Sequence, residues 1–205
     1  MAVAVPEPVL SAAVTPDEAL TIRLATLDDA AACAAIYGPY VEGTSISFEL
    51  EPPSAGDMAG RIAKTIVRSP WLVVEVDGVV RGYAYGTRHR DRAAYDWTVE
   101  STVYVDRGFA GRGIGRAAMS ALLEVVRLQG FHLVVAGITQ PNPASTGLHL
   151  ALGFERIGEF GAIGWKEGRW HGVEWYGLEL GPRDLPPTPI RPLADAIADW
   201  EAHRR

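Results

Sequence analysis

Thr102 to Gly115, TVYVDRGFAGRGIG, reads as a short β-branched run, a turn rich in glycine and arginine, and the opening of a helix. That order describes an anion-binding site. Glycines at alternate positions, Gly111, Gly113 and Gly115, let the backbone pass close to a ligand. A helix starting there points unpaired N–H groups and a partial positive charge at whatever occupies the turn. A pyrophosphate suits such a site; a glycine-rich loop that only turns the chain is the other reading.

The surroundings predict the elements on either side. After the turn, Ile114, Ala117, Ala118, Ala121, Leu122, Val125 and Leu128 recur at steps of three and four, the period of an amphipathic helix ending at Gly130. FHLVVAGI (131–138) is a buried-strand pattern, and ASTGLHLALGF (144–154) is a short helix closed by Gly153. FERIGEFGAIGWK and RWHGVEWYGLEL then form a closing hairpin turned at Glu167-Gly168. Before the turn, DWTVESTVYV (96–105) is a strand, and WLVVEV (71–76) and VVRGYAYGT (79–87) meet at the hairpin step Asp77-Gly78. Further back come a strand over TIRLAT (21–26), a helix from Leu27 to about Gly38, and a helix from about Ser54 to Arg68. The alternation predicts a single α/β domain over residues 20–180, with a mixed central sheet flanked by helices.

Residues 1–19 and the proline-rich stretch from 181 read as extensions outside that domain, with LADAIADWEAHRR at the end able to form a short helix. The length fits one domain, and 48% hydrophobic content can build a substantial core. A net charge of −6 argues against general affinity for nucleic acid or acidic membrane, so any anion is bound locally. The single cysteine, Cys33, excludes an internal disulfide and a cysteine-based zinc cluster; it lies in the alanine-rich run AAACAAIY and reads as core, and no metal is expected. No apolar run approaches the roughly 20 residues of a membrane span, and the start lacks the basic region of a secretory signal, so the cytoplasm is the expected location.

Three groups of residues can carry chemistry. Glu100 lies mid-strand, sharing a face with Thr102 and Tyr104. A carboxylate there must be paired or line a cleft, and burial would move it toward the range of a general base. Asn142 and His149 run from a strand end into the short helix; Asn142 offers a donor and an acceptor, and histidine changes protonation near neutral pH. Arg88, Arg90 and Arg92 concentrate positive charge in one loop of an acidic chain, where they either grip an anionic substrate or remain solvated.

Together these motifs resemble the GNAT acyl-CoA-dependent N-acetyltransferases. The family's R/Q-x-x-G-x-G/A turn corresponds to Ala110-Gly111-Arg112-Gly113-Ile114-Gly115, with alanine in place of the usual first residue. Asn142 to Phe154 is similar to the family's N-x-x-[AS]-x-x-L-Y…LGF stretch, with His149 where many members carry tyrosine. AYDWTVESTVYV, PWLVVEVDGVVRGYAY and RWHGVEWYGLEL resemble the phosphinothricin N-acetyltransferase branch, a likeness spanning about residues 22–180. The resemblance implies a GNAT-like fold and acetyl transfer from acetyl-CoA to the α-amino group of phosphinothricin, methionine sulfoximine, methionine sulfone or a related small amino acid, by a homodimer. It implies Glu100 and His149 as catalytic residues, His149 protonating the departing thiolate or exchanging roles with Glu100. Acetyl-CoA would be held by Val103, Tyr104 and Val105, by Ala110 through Arg116 (Ala110, Gly111, Arg112, Gly113, Ile114, Gly115, Arg116), and by Asn142 and Ser145. Arg107, Arg112 or Arg116 would supply charge at the turn, and Arg90, Arg92 and Tyr104 would contact the substrate. The rival readings are a GNAT enzyme for another amine, a catalytically silent acyl-CoA-binding module, and a nucleotide-binding protein; the last lacks a G-K-[ST] after the glycines.

Overall fold

The computed structural model describes residues 19–181 and 186–204; the expected N-terminal extension and part of the proline-rich stretch lie outside these residues. The described chain opens with β1 (Leu20–Leu24), passes a 3-10 turn at Leu27–Asp29 and enters α1 (Ala30–Glu42), followed by α2 (Ala55–Ile66). α2 begins on a reciprocal cap, in which Ser54 Oγ accepts from Asp57 N–H at 3.1 Å and Asp57 Oδ2 accepts from Ser54 N–H at 3.0 Å. α1 runs past the expected stop at Gly38 and through Pro39 to Glu42. Tertiary packing overrides the local breakers there: Tyr37 and Val41 are buried, and Lys166 caps the helix end with a hydrogen bond from Nζ to Val41 O at 2.6 Å.

β2 (Trp71–Val76) and β3 (Val79–Arg88) form the hairpin, turned through positive φ at Asp77 (50°) and Gly78 (76°), the pair of angles a two-residue type I′ connection needs. Next come β4 (Thr98–Val105), α3 (Ile114–Gln129), β5 (Leu133–Thr139) and α4 (Pro143–Ala151). The closing hairpin of β6 (Glu155–Lys166) and β7 (Arg169–Glu179) precedes α5 (Leu193–Ala202). The seven strands make one sheet in the order β1-β2-β3-β4-β5-β7-β6, in which β4 and β5 alone are parallel. No helix among the described residues is long and apolar enough to cross a membrane.

The sheet separates two cores. On one face α3 packs against Leu72, Val74, Ala84, Val99, Val134 and Ala136. α5 adds Leu193, Ala196, Ile197 and Trp200 to that same core, so the C-terminal segment lies against the domain. On the other face α1 and α2 cover Trp71, Val73 and Tyr83, with Cys33 fully buried and its thiol pushed up to about 12 by burial. α1 and α2 lie mainly on the β1–β4 side of that face. The β5–β7 side is crossed instead by the 43–50 loop, whose Phe48 ring lies against Gly164 of β6.

Candidate active site

The site begins where the central strands part. β4 and β5 pair in parallel only over Thr98–Glu100 with Leu133–Val135; β4 then runs five residues further and β5 four, with no pairing between them. The gap forms a cleft of about 520 Å³ walled by Ser101–Val105 on one side and Ala136–Thr139 on the other. Its far end is the glycine turn and the start of α3, and its flank is α4. Paired strands satisfy their own N–H and C=O groups, whereas parted strands offer theirs to a ligand that lies between them.

At the turn, Gly111 and Gly113 have φ of 75° and 85°, with Arg112 between them not in the left-handed region. That alternation gathers successive N–H groups into one concavity. α3 begins on Gly113 with no side-chain cap and no acidic residue in its first turn, and its first return bond is Ala117 N–H to Gly113 O at 2.9 Å. The first-turn N–H groups of Ile114, Gly115 and Arg116, which precede that first return bond, are placed to meet an anion, with the helix dipole behind them. A Cβ on Gly115 would sit 3.4 Å from Val105 Cγ2 and 3.5 Å from Leu148 Cδ2, so the backbone passes close to both walls there.

Of the residues expected to hold acetyl-CoA, Val103, Tyr104, Val105, Ala110, Gly111, Gly113, Ile114, Gly115, Arg116, Asn142 and Ser145 line this cleft, and Arg112 does not. The Arg112 guanidinium lies 4.6 Å from the centre of the Phe109 ring. Arg107 is also committed elsewhere, donating to Pro39 O at 2.7 Å and stacking on Tyr40. Arg116 is thus the arginine of the three that reaches the cleft. Ile114 is 1% exposed and its side chain belongs to the core, which leaves only its backbone to the ligand. Tyr104 joins Tyr37, Tyr40 and Tyr83 in an aromatic cluster, where burial holds its phenol protonated by raising its pKa.

α4 presents the second group. Asn142 Oδ1 caps it by accepting from Ser145 N–H at 3.1 Å, and His149 lies one turn on, 3% exposed and edge-on to Phe154. His149 Nδ1 is 2.8 Å from Ser145 O; a carbonyl only accepts, so Nδ1 carries the proton. Nε2 is buried with no hydrogen-bond partner among the described residues. Burial lowers the pKa of the ring, more than the Ser145 carbonyl raises it. In this state His149 can accept a proton at Nε2 but has none there to give.

Glu100 stands at the foot of the gap, at the last β4–β5 pair, outside the cleft wall itself. It is not deeply buried: its side chain is 31% exposed, and Oε2 meets His89 Nδ1 at 3.3 Å. The three-arginine loop divides. Arg88 is used internally, pairing with Asp96 at 3.2 Å and donating to Asp91 O, while Arg90 and Arg92 are exposed on the loop after β3, neither in an ion pair among the described residues. Neither lines the cleft.

Two contributors escaped the sequence reading. His89, which registers only as one more residue of a charged loop, is the partner of Glu100. Lys166 is 7% exposed and donates from Nζ to Val41 O, Ser47 O and Glu49 O at 2.6, 2.7 and 2.8 Å, fixing the 43–50 loop whose Ile46 lines the cleft.

Comparison with known proteins agrees with this geometry. The model of the acetyltransferase (GNAT) family matches residues 45–154. The chain is 41% identical over 172 residues to the phosphinothricin N-acetyltransferase of Streptomyces viridochromogenes, covering 84% of this chain and 93% of that one. It is 35% identical to the L-methionine sulfoximine/L-methionine sulfone acetyltransferase of Salmonella typhimurium, covering 82% and 98%. The solved structure of a phosphinothricin acetyltransferase from Sinorhizobium meliloti in complex with acetyl-CoA superposes with a TM-score of 0.79 at 35% identity, covering 82% and 93%. A parted parallel strand pair ending in an uncapped glycine turn, and these relatives across most of the chain, place the protein in the GNAT family of acetyltransferases.

Proposed function

We propose that the protein transfers the acetyl group of acetyl-CoA to the α-amino group of a small anionic amino acid or analogue, of the phosphinothricin, methionine sulfoximine or methionine sulfone type. The observation that carries this reading is the continuous run from the β4–β5 gap into the uncapped turn at Gly111–Gly115, with Glu100 at the foot of the gap. The residues fit the co-substrate: first-turn N–H groups and Arg116 suit a pyrophosphate, and the parted strand edges suit an amide-bearing arm. When bound there, acetyl-CoA supplies the acyl group and a thiol as leaving group.

The chain's own residues then have separable tasks. An α-amino group titrates near about 8 or above and arrives largely protonated, so a base is needed. Glu100 takes that proton at its carboxylate. His149, neutral with a bare Nε2, accepts the second proton from nitrogen and returns it on the side of the departing sulfur, which reconciles the base and acid roles open to it. Arg90 and Arg92, exposed and without ion-pair partners among the described residues, are the groups we assign to the substrate's acidic end. The proposal includes a homodimer, supported by exposed apolar side chains on the β6–β7 hairpin, Ile157, Phe160, Ile163, Trp165 and Trp170, and a location in the cytoplasm.

The test is thiol release from acetyl-CoA against phosphinothricin, methionine sulfoximine, methionine sulfone, ordinary amino acids and polyamines. Turnover is expected with the anionic amino acids, and Arg92→Ala should raise their KM with little change in kcat. Glu100→Gln should lower kcat by about 100-fold while leaving acetyl-CoA affinity nearly intact, whereas Arg116→Ala should weaken acetyl-CoA binding by about tenfold. No turnover with any acidic amino acid analogue, or equal loss of cofactor binding in both variants, would overturn the assignment.

A further inference from the structure

We propose that His89 is a positioning residue for the reaction, holding the Glu100 carboxylate through Nδ1–H so that Oε1 is left to meet the acceptor's amino group. The inference rests on the reading of Glu100 as the base. The register sets the geometry: Thr87 of β3 lies directly opposite Glu100, and His89, two residues on and just past the end of β3, is its diagonal neighbour. His89 Nδ1 lies 3.3 Å from Glu100 Oε2, while Oε1 has no hydrogen-bond partner among the described residues. A carboxylate only accepts, so Nδ1 must carry the proton for this contact to be attractive.

The imidazole is clamped on two sides. The Tyr95 ring meets it edge-on at 6.1 Å and 74°, and the Trp175 ring at 5.8 Å and 75°. The residue opposite Trp175 on β5 is Gly137, and the indole lies close over it: a Cβ there would come to 3.3 Å from Trp175 Cζ2, a tight contact that glycine avoids. Strands β3, β4 and β7 and the loop after β3 thereby converge on one ring, which is 18% exposed at the side chain although it follows the end of a strand. A histidine at a loop start that only solvated itself would need neither the aromatic clamp nor the carboxylate. Arg88 faces Asp96 and Arg90 donates to the His89 carbonyl, so neither competes for Glu100.

Three substitutions separate the donor from the ring. His89→Phe keeps the aromatic packing and deletes the N–H; His89→Asn keeps a side-chain N–H near the position of Nδ1; both are then combined with Glu100→Gln. The expectation is that His89→Phe lowers kcat by about tenfold or more with KM for acetyl-CoA within about twofold, and that His89→Asn recovers most of the loss. In the Glu100→Gln background, His89→Phe should add less than about twofold, because it acts through the group already removed. Thermal melts of each variant exclude a loss of folded protein as the cause. Wild-type kcat in His89→Phe, or the same fractional loss in the Glu100→Gln background, overturns the inference for His89. Wild-type kcat in Glu100→Gln overturns instead the reading of Glu100 on which it stands.

Discussion

Lys166 offers the sharpest test of how the fold builds the site. The residue is 7% exposed, and its ammonium is shared among Val41 O at the end of α1, and Ser47 O and Glu49 O in the loop that crosses the sheet. The position is favourable twice, once for three charge-assisted bonds and once for a cation at the negative end of a helix. Lys166→Met keeps the length and apolar stem but leaves three inward carbonyls without their donor. Removing a buried charged partner costs about 3–5 kcal/mol, and for a domain of this size each kcal/mol is worth about 2–4 °C, so the melting temperature should fall by roughly 6–20 °C. Lys166→Arg should also lose stability, because a planar fork does not fit a socket shaped for a point charge. The same loop carries Ile46 into the cleft wall, so KM for acetyl-CoA should rise in Lys166→Met at temperatures where the protein is still folded. Differential scanning calorimetry and steady-state thiol release measure the two effects. A melting temperature within about 3 °C of wild type would show that water or a shifted loop satisfies those carbonyls, and would refute the claim that Lys166 pins the loop.

Two further variants probe regions on either side of the site. Trp200 is 2% exposed and donates from Nε1 to Glu124 Oε2 at 2.9 Å, so Trp200→Ala should cost about 3–5 kcal/mol by chemical denaturation. No residue of α5 lines the cleft, so kcat and both KM values should be unchanged at 20 °C or below (about), and a changed KM would mean that α5 reaches the site. Burial depresses the pKa of His149, so the unfolded chain takes up a proton below about 6.5 that the folded one refuses. This group's contribution is present above that pH and is lost as pH falls from it toward the folded value. The melting temperature of wild type should therefore drop more steeply between pH 7 and 5 (about) than that of His149→Gln, and parallel curves would contradict a neutral, buried ring.

Much of this architecture is written locally. The Asp77-Gly78 and Glu167-Gly168 steps announce hairpins because their glycines adopt at no steric cost the positive φ that such turns need, and the apolar period after Gly113 announces α3 because a helix on a sheet buries one stripe. Glu100 stands out as a carboxylate in a valine-rich strand. What was not legible depends on register and on distant contacts. Nothing near Gly38 and Pro39 says that α1 continues, because the group that caps it, Lys166, is more than a hundred residues away. The partnership of His89 with Glu100 needs the β3–β4 register, which places Thr87 opposite the glutamate, and period-two patterning alone does not fix that register. Likewise the sequence cannot sort Arg107, Arg112 and Arg116, since only folding shows that the first two meet aromatic rings and the third meets the cleft.

The site itself follows from the place where backbone pairing stops. Glu100 and Val135 form the last parallel pair; one residue later Ser101 Oγ is 3.4 Å from Val135 O, and beyond that the strands no longer pair. Beside the break, Gly137 of β5 is exposed and has no Cβ, and the Trp175 indole of β7 lies 3.3 Å from where one would stand. A parted edge in the middle of a sheet leaves unpaired N–H and C=O groups that are costly unless something replaces the missing strand. An extended ligand that carries amides can do so, which couples its binding energy to the same break that sets Glu100 at its foot. The carboxylate is then met from the opposite side by His89, which follows directly on β3, the strand that does remain paired with β4. Filling the cleft wall beside the break with Gly137→Val should set side-chain atoms against the indole, displace Trp175 from His89, and so lower turnover through a residue that carries no chemistry of its own.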